Sequence, residues 1–480
     1  MSTGETNESL KPGEELPVSV RRAVLVAAVL GTALAYMSDD MLNLAIPWVA
    51  QDLQATVTDA QWILNAYYVS LVSGVLVAGS IGDIAGHRRV FVWGILAFSA
   101  GAVGCALAPS VWWLVICRFF QGGGAAMMLT AGLALVTRLN PPDERSAAVG
   151  LFLGLVAAVP ALGPFLSGML IELLSWRWLF VVPLVLPAVG LAIVKWRVPD
   201  TPLAADRRPD VRGASLAFLS LAALSVSLIS GAADITDPVP LAGLGIAVVA
   251  AVAFLRQQRT TSDPLLPMHL LRRRVFVGGN VIWLTAALTM WGAVFFVAVM
   301  LQTTLGQTPI AAGLILTPIY IVMMVGSPLA GRLADRIGTR LPALGGLGVY
   351  TCGLFLLSRI NEDSSVLPDV VLAIVVMSLG LSLFSAPVAS ASIGALDEAD
   401  QGVASAFNNL MGQLAGLLAI ILLPAAAGLA GVEFGDPEFA SGYGRALLVV
   451  AFLAAVCIPV ALWAFTSREG PPDSRGQTST

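Results

Sequence analysis

The sequence predicts an all-α polytopic membrane protein with fourteen transmembrane helices, arranged as two pseudo-symmetric six-helix bundles plus two extra central helices. Three observations carry that reading. First, hydrophobic residues make up 57% of the 480 positions and charged residues only 12%, against roughly 25% charged in soluble chains, and the mean hydropathy is +0.85. A soluble protein of this size needs a polar surface that such a composition does not supply. Second, the chain divides into apolar runs near the roughly 20 residues that a membrane helix requires. Third, a short polar signature occurs twice between such runs: Gly79-x-x-x-Asp83-x-x-Gly86 and Gly331-x-x-x-Asp335-x-x-Gly338. A duplicated loop in an apolar chain means two related halves, and clefts between membrane repeats are where transported ligands sit.

Taken in order, the spans fall near 23–47, 61–81, 90–108, 111–136, 147–171, 178–196, 214–232, 240–255, 277–301, 311–330, 341–358, 369–390, 403–429 and 445–466. The run at 240–255 is short. The apolar run after Arg21 and Arg22 exceeds a signal-peptide core and lacks a convincing cleavage site, so it is retained as span 1. Basic residues then set the orientation. With the N-terminus inside, 22 of the 26 Lys and Arg fall in cytoplasmic segments; Arg177, Arg359 and Arg445 lie outside, and Arg118 lies within span 4. An omitted span would invert every later loop and scramble that bias. Both termini are therefore expected in the cytoplasm, with the chain passing repeatedly through the inner (cytoplasmic) cell membrane.

The two signatures follow spans 2 and 10, eight spans apart where two six-helix halves would give six. Spans 7 and 8 account for the extra pair. The expected organisation is a disordered cytoplasmic tail at 1–20 and a six-helix bundle at 21–197. A linker with the two extra helices follows at 198–275, then a second bundle at 276–466 and a tail at 467–480. Asp143-Glu144 before span 5 and Asp397-Glu398 before span 13 repeat at nearly the same offset.

Several function classes drop out. Cys105, Cys117, Cys352 and Cys457 all lie in apolar runs without Cys-x-x-Cys spacing, and read as buried small hydrophobes. His87 and His269 stand among arginines at segment ends, which argues against a zinc or haem site. No Gly-x-x-x-x-Gly-Lys-Ser/Thr loop occurs, and the linkers are too short for an ATPase domain. The chain is not read as an enzyme. No cofactor, metal, nucleic acid or ATPase partner is expected; the partners are a small-molecule substrate, protons and the lipid bilayer. Energy comes from an ion gradient or from the substrate's own gradient.

The chemistry then rests on few residues. In the first signature, Gly79 and Gly86 permit close approach and a tight turn. Asp83 suits a facing helix N-terminus, and Arg88 a carboxylate or a helix C-terminus. Such a clasp biases one conformational state, and Asp335 and Arg336 are its weaker counterpart. Arg118 lies about eight residues, roughly 12 Å, below the outer end of span 4. An intramembrane cation is costly and calls for a partner. Asp39 and Asp40, at about the same depth on span 1, are the candidates. A nearby arginine and a low-dielectric cleft pull a carboxyl's proton affinity in opposite directions, so such a pair suits proton loading and release. Adjacent helical residues point about 100° apart, so one of the two acids is expected to face the cavity, with the choice left open. Gly163-Pro164 and Gly168 in span 5, preceded by Pro160, mark a broken, closely packed helix. Asn43, Tyr67, Tyr68, Gln121, Trp291 and Asn409 are candidate cavity-lining residues suited to bulky, partly apolar ligands. Trp48, Trp62, Trp112, Trp113, Trp176 and Trp178 suit an outer interfacial belt.

These motifs resemble the major facilitator superfamily, specifically its fourteen-helix drug:proton antiporter branch, from span 1 to span 14. The first signature is similar to the family's loop, with His87 where arginine is usual. Arg118-x-x-Gln121-Gly122 resembles the family's arginine motif, which implies proton handling. Gly163-Pro164-x-x-x-Gly168 resembles the exporter-associated motif, with Val159 and Ser167 departing from it, and this tilts direction toward export. In span 1, anchoring on Asn43, Ala45 and Pro47 places the family's aspartate at Ser38 and its threonine at Asp40, so the acid has moved. The resemblance implies a secondary exporter of hydrophobic or amphipathic compounds such as antibiotics or dyes, exchanging them for protons. The alternatives are a dedicated exporter of one natural product or lipid, a proton-symport importer, or a non-transporting membrane receptor.

Overall fold

A computed structural model describes residues 16–199, 210–231, 237–261, 269–396, 398–429 and 437–465. Within them lie fourteen helical segments, one for each expected span. The first half holds α1 (Val18–Leu53), α2 (Val57–Ala85), α3 (His87–Ala106), α4 (Val111–Arg138), α5 (Pro142–Ala158 and Gly163–Leu173) and α6 (Trp178–Arg197). The middle pair is α7 (Val211–Gly231) and α8 (Pro238–Thr260). The second half holds α9 (Arg274–Thr303), α10 (Pro309–Ile337), α11 (Arg340–Ser358), α12 (Val366–Gly394), α13 (Glu398–Ala426) and α14 (Pro437–Ala464). Thirteen are apolar and long enough to span a membrane, and the fourteenth, α2, qualifies across a 44° bend near Val75–Val77. The run expected at 240–255 extends to 23 residues in α8, because polar Gln257 and Gln258 continue the helix beyond the apolar stretch.

Local chemistry sets these ends. Thr56 caps α2 and forms a reciprocal capping box with Asp59; the Ser110 and Thr308 side chains cap α4 and α10. The duplicated signature does the same work at both of its sites. Gly86 and Gly338 end α2 and α10 at φ 89° and 82°, values that strain any residue with a Cβ. Each donates its N–H back to the carbonyl four residues earlier, Gly82 and Ala334 respectively. In α5 the two prolines break the helix, giving a 3-10 turn at Val159–Leu162.

In the first bundle α4 packs on α2 and α3, while α1 packs on α4, α5 and α6; in the second, α12 packs on α10 and α11, and α14 on α9 and α11. The central pair α7 and α8 pack on each other, and α7 leans on α2. Because the fourteen spans alternate in direction, Leu16 and Phe465, the first and last described residues, come to one face, called here the terminal face. Among the described residues, the hydrogen bonds joining the bundles lie at mid-depth and toward the opposite face. Tyr36 Oη donates to Asn409 Oδ1 at 3.2 Å, and Gln61 Nε2 to the Ile420 carbonyl at 3.0 Å. At the opposite face Trp48 Nε1 donates to Gln302 Oε1, and Gln302 Nε2 to the Leu44 carbonyl, each at 2.9 Å.

Two expectations change. Trp176 leaves the interfacial belt: it is only 4% exposed, because its ring nitrogen donates to Asp52 at the end of α1. The other belt tryptophans keep to the surface or partly so, Trp62 packing tilted against Trp112. Of the cysteines, Cys105 and Cys457 are buried but Cys352 is exposed and Cys117 half-buried; an apolar run fixes a membrane location, not which helix face meets protein. Of the expected tails at 1–20 and 467–480, residues 1–15 and 467–480 lie outside the described residues, as do the linker centre at 200–209 and Asp397, whereas Val18–Val20 already belong to α1.

Candidate functional site

Arg118 on α4 is completely buried. A close helix approach makes its position possible: a Cβ on Gly122, one turn along, would collide with the Tyr67 carbonyl of α2. Three elements then satisfy the guanidinium. Its Nη2 donates to Asp39 Oδ1 of α1 at 2.9 Å, Nη1 to Gln121 Oε1 at 2.9 Å, and Nε to the Ile63 carbonyl of α2 at 3.4 Å. The Tyr67 ring faces it, 4.2 Å from guanidinium carbon to ring centroid, a cation–π contact. Tyr67 is itself held by donating its hydroxyl to the Ala35 carbonyl at 2.6 Å. Gln121 donates on to Ser38 Oγ at 3.3 Å, and Tyr68 Oη donates to Asp39 Oδ2 at 2.5 Å. Asn43, on the next turn, donates back to the Asp39 carbonyl at 3.2 Å. Both oxygens of Asp39 are thus occupied.

Asp40 occupies a different environment. It is equally buried at 5% exposure, yet its Oδ1 has no hydrogen-bond partner among the described residues. It sits against Gly163, where a Cβ would come within 3.6 Å of the Asp40 Cβ, at the start of the second half of α5. From the other bundle, the Tyr320 side chain of α10 lies beside it. One acid therefore faces inward to α4 and α2, and its neighbour faces the seam between the bundles.

That seam is closed by the second half of α5. A Cβ on Gly168 would overlap the Pro309 carbonyl of α10, and one on Gly313 would overlap the Pro164 carbonyl. Glu172 Oε2 accepts from the Ile310 N–H at the α10 N-terminus, at 3.2 Å. Ser167, beside Gly168, donates to the Met41 carbonyl of α1 at 2.7 Å. The small residues of the α5 motif are what allow α1, α5 and α10 to meet.

The signature loops are arranged differently from expectation. Asp83 does not reach a facing helix N-terminus: its Oδ1 pairs with Arg138 Nη2 at the end of α4, at 2.6 Å, and lies 3.4 Å from His87 Nε2. Arg88 does hold a helix C-terminus, donating to the Val194 and Lys195 carbonyls of α6 at 3.4 and 3.3 Å. Those contacts stay inside the first bundle. Gly79 faces Thr130 of α4, whose Cγ2 a Cβ would meet at 3.5 Å. Asp335 and Arg336 are exposed, and neither has an ion-pair partner among the described residues.

Tyr67, Tyr68 and Trp291 border a narrow mid-depth cavity with Tyr36, Asp39 and Gln413; it has room for about one water molecule. Asn409 reaches that cavity through Tyr36. Asn43 and Gln121 do not line it: Asn43 Nδ2 donates within its own helix to the Asp39 carbonyl, and the Gln121 amide links Arg118 to Ser38. Tyr36 and Tyr320 are additions that sequence reasoning missed. Tyrosine has an apolar body and one polar tip, and nothing in its spacing distinguished these two from packing residues.

A family model described as Major Facilitator Superfamily matches residues 28–420 and 282–480. The chain belongs to the Major Facilitator Superfamily. As a member it is a multi-pass membrane transporter. It is 28% identical to the uncharacterized transporter YebQ of Escherichia coli, over 92% of this chain and 95% of that protein. It is 31% identical to the tetracenomycin C resistance and export protein of Streptomyces glaucescens, over 76% of this chain and 69% of that protein. The methylenomycin A resistance protein of Streptomyces coelicolor is 28% identical, over 85% and 86%. Among solved structures, a bacterial homolog of the human lysosomal transporter Spinster, in an inward-facing, unoccupied conformation, aligns with a TM-score of 0.64. That alignment has 15% identity and covers 94% of this chain and 98% of that one; at that identity it bears on fold alone.

Proposed function

We propose that this superfamily member exports hydrophobic or amphipathic small molecules in exchange for protons, and that Asp39 and Asp40 divide the work of coupling. The observation that carries this is the contrast between two adjacent buried acids. The charge of Asp39 is matched by Arg118 at 2.9 Å. That of Asp40 is matched by no cation among the described residues. Protonating Asp39 breaks a buried ion pair, whereas protonating Asp40 relieves an uncompensated buried charge. Asp40 also stands where the bundles meet, between the α5 break and Tyr320. A proton or a cationic ligand group taken up there changes the contact between bundles directly, while Asp39 and Arg118 keep α1, α2 and α4 together as one body.

The positive-inside bias makes the terminal face cytoplasmic. The inter-bundle bonds at Trp48–Gln302 and the α5–α10 contact then close the outer side, and the structure corresponds to a state shut toward the outside. Export requires that seal to open as the cytoplasmic side closes, bringing Asp83 and Arg88 toward the second bundle's Asp335 and Arg336. The names of the tetracenomycin C and methylenomycin A relatives favour one further reading, a dedicated exporter of a single natural product.

Proton-driven efflux measured in inverted vesicles, with a panel of dyes and antibiotics, tests the proposal. Asp40→Asn should abolish coupling to the proton gradient while leaving ligand binding measurable. Full gradient-driven transport by Asp40→Asn would overturn the assignment. Absence of gradient-dependent movement for every compound in a broad panel would favour the receptor reading.

A further inference from the structure

On the terminal face, outside the coupling site, α3 and α6 border a cleft of about 420 Å³ lined by Arg88, Arg89, Val92, Trp93, Leu191 and Lys195. Its composition is divided by depth. Three cations stand at the helix ends, where α3 begins at His87 and α6 ends at Arg197. One helical turn into the membrane the lining becomes Val92, Trp93 and Leu191. Arg88 is already committed to the α6 carbonyls. Arg89 and Lys195 are exposed, and neither has an ion-pair partner among the described residues. The nearby carboxylate, Asp83, is taken by Arg138 and His87. Trp93 is 47% exposed and Trp196, next to Lys195, is 69% exposed.

Two exposed cations with no ion-pair partner among the described residues, above an apolar wall on the outer surface of the helices, suit a ligand with an anionic head and an apolar tail. A free anion would use the cations and leave the wall bare; a detergent-like neutral molecule would use the wall and leave the cations unmatched. From this pairing we propose that the α3–α6 cleft is a binding site for one anionic phospholipid. Its phosphate is held by Arg89 and Lys195, and its acyl chain lies along Trp93, Val92 and Leu191. The placement suits the cytoplasmic leaflet, whose anionic lipids attract basic residues near the membrane; in that respect it rests on the orientation proposed above. A bound headgroup would also fix the α6 terminus beside Arg88, and with it the start of the loop that follows α2.

The test is native mass spectrometry of the detergent-purified full chain, titrated separately with phosphatidylglycerol, phosphatidylcholine and glycerol 3-phosphate. The wild type should retain one phosphatidylglycerol more tightly than any phosphatidylcholine, and glycerol 3-phosphate should not displace it. A cation near an anionic lipid surface contributes about fivefold in affinity, so R89Q/K195Q should weaken this binding roughly twenty-five-fold. R256Q/R259Q, which removes two charges from the end of α8, should leave it unchanged, and R89K/K195R should retain it. Unaltered thermal unfolding of R89Q/K195Q without lipid would show that the fold is intact. Equal retention of phosphatidylcholine would overturn the proposal, as would equal loss in both charge-removal variants. Displacement by glycerol 3-phosphate would do the same, marking a plain anion site. None of these readouts involves transport, so a negative result leaves the exporter reading standing, and failed transport leaves the lipid site standing.

Discussion

Replacing Asp39 by Asn should destabilise the protein far more than replacing Asp40 by Asn, although the two residues are adjacent and equally buried. Removing the Asp39 charge strands Arg118, which has no exposed surface through which to recover hydration. Truncating one member of a buried pair costs about 3–5 kcal/mol, most of it the penalty of the charge left behind. The Tyr67 ring and the Gln121 and Ile63 oxygens stay in place, and an asparagine oxygen still accepts from Arg118. These move the expectation to the lower end, about 3 kcal/mol, or roughly two powers of ten in the unfolding equilibrium. Asp40→Asn strands no cation and should lie within about 1 kcal/mol of wild type. The measurement is equilibrium unfolding in mixed micelles, run as a double-mutant cycle with Arg118→Gln. The Asp39→Asn and Arg118→Gln pair should show a coupling of about 2 kcal/mol or more, and Asp40→Asn with Arg118→Gln close to none. Equal losses for the two asparagine variants, or coupling of Arg118 to Asp40, would refute the assignment of partners.

Three other outcomes are expected. Gly168→Val should fold but fail to transport, because its side chain would collide with the Pro309 carbonyl and hold α5 off α10; cysteines placed at Trp48 and Gln302 should cross-link in the wild-type background and lose most of that cross-linking alongside it. Tyr320→Phe should leave stability within about 1 kcal/mol and slow proton-coupled efflux without weakening ligand binding, since it removes only the hydroxyl facing Asp40. Asp83→Asn should cost under about 1 kcal/mol, because the Arg138 partner is 37% exposed, yet shift accessibility of the terminal face to thiol reagents; unaltered accessibility and full transport would remove the loop from gating.

Membrane constraints explain why so much of the fold was legible. A helix crossing hydrocarbon must satisfy its backbone internally and be apolar along its length, so span number follows from composition and charge bias, and all fourteen expected segments are helical. Gly86 and Gly338 were visible as a repeat because positive φ admits few residues. The need of Arg118 for an acid was equally visible, since a buried guanidinium must be matched.

What the sequence could not fix was rotation about each helix axis. Neighbouring positions point about 100° apart, so only the packed bundle decided that Asp39 meets Arg118 while Asp40 turns to Gly163 and Tyr320. The same rotation placed Trp176 inside and Cys352 outside, and spent the Asn43 amide on its own helix. Closure at Trp48–Gln302 likewise belongs to the tertiary level. In the exchange proposed above, one chain serves every state and its composition is the same in all of them; which face is sealed would depend on contacts between bundles that form and break without any change of sequence.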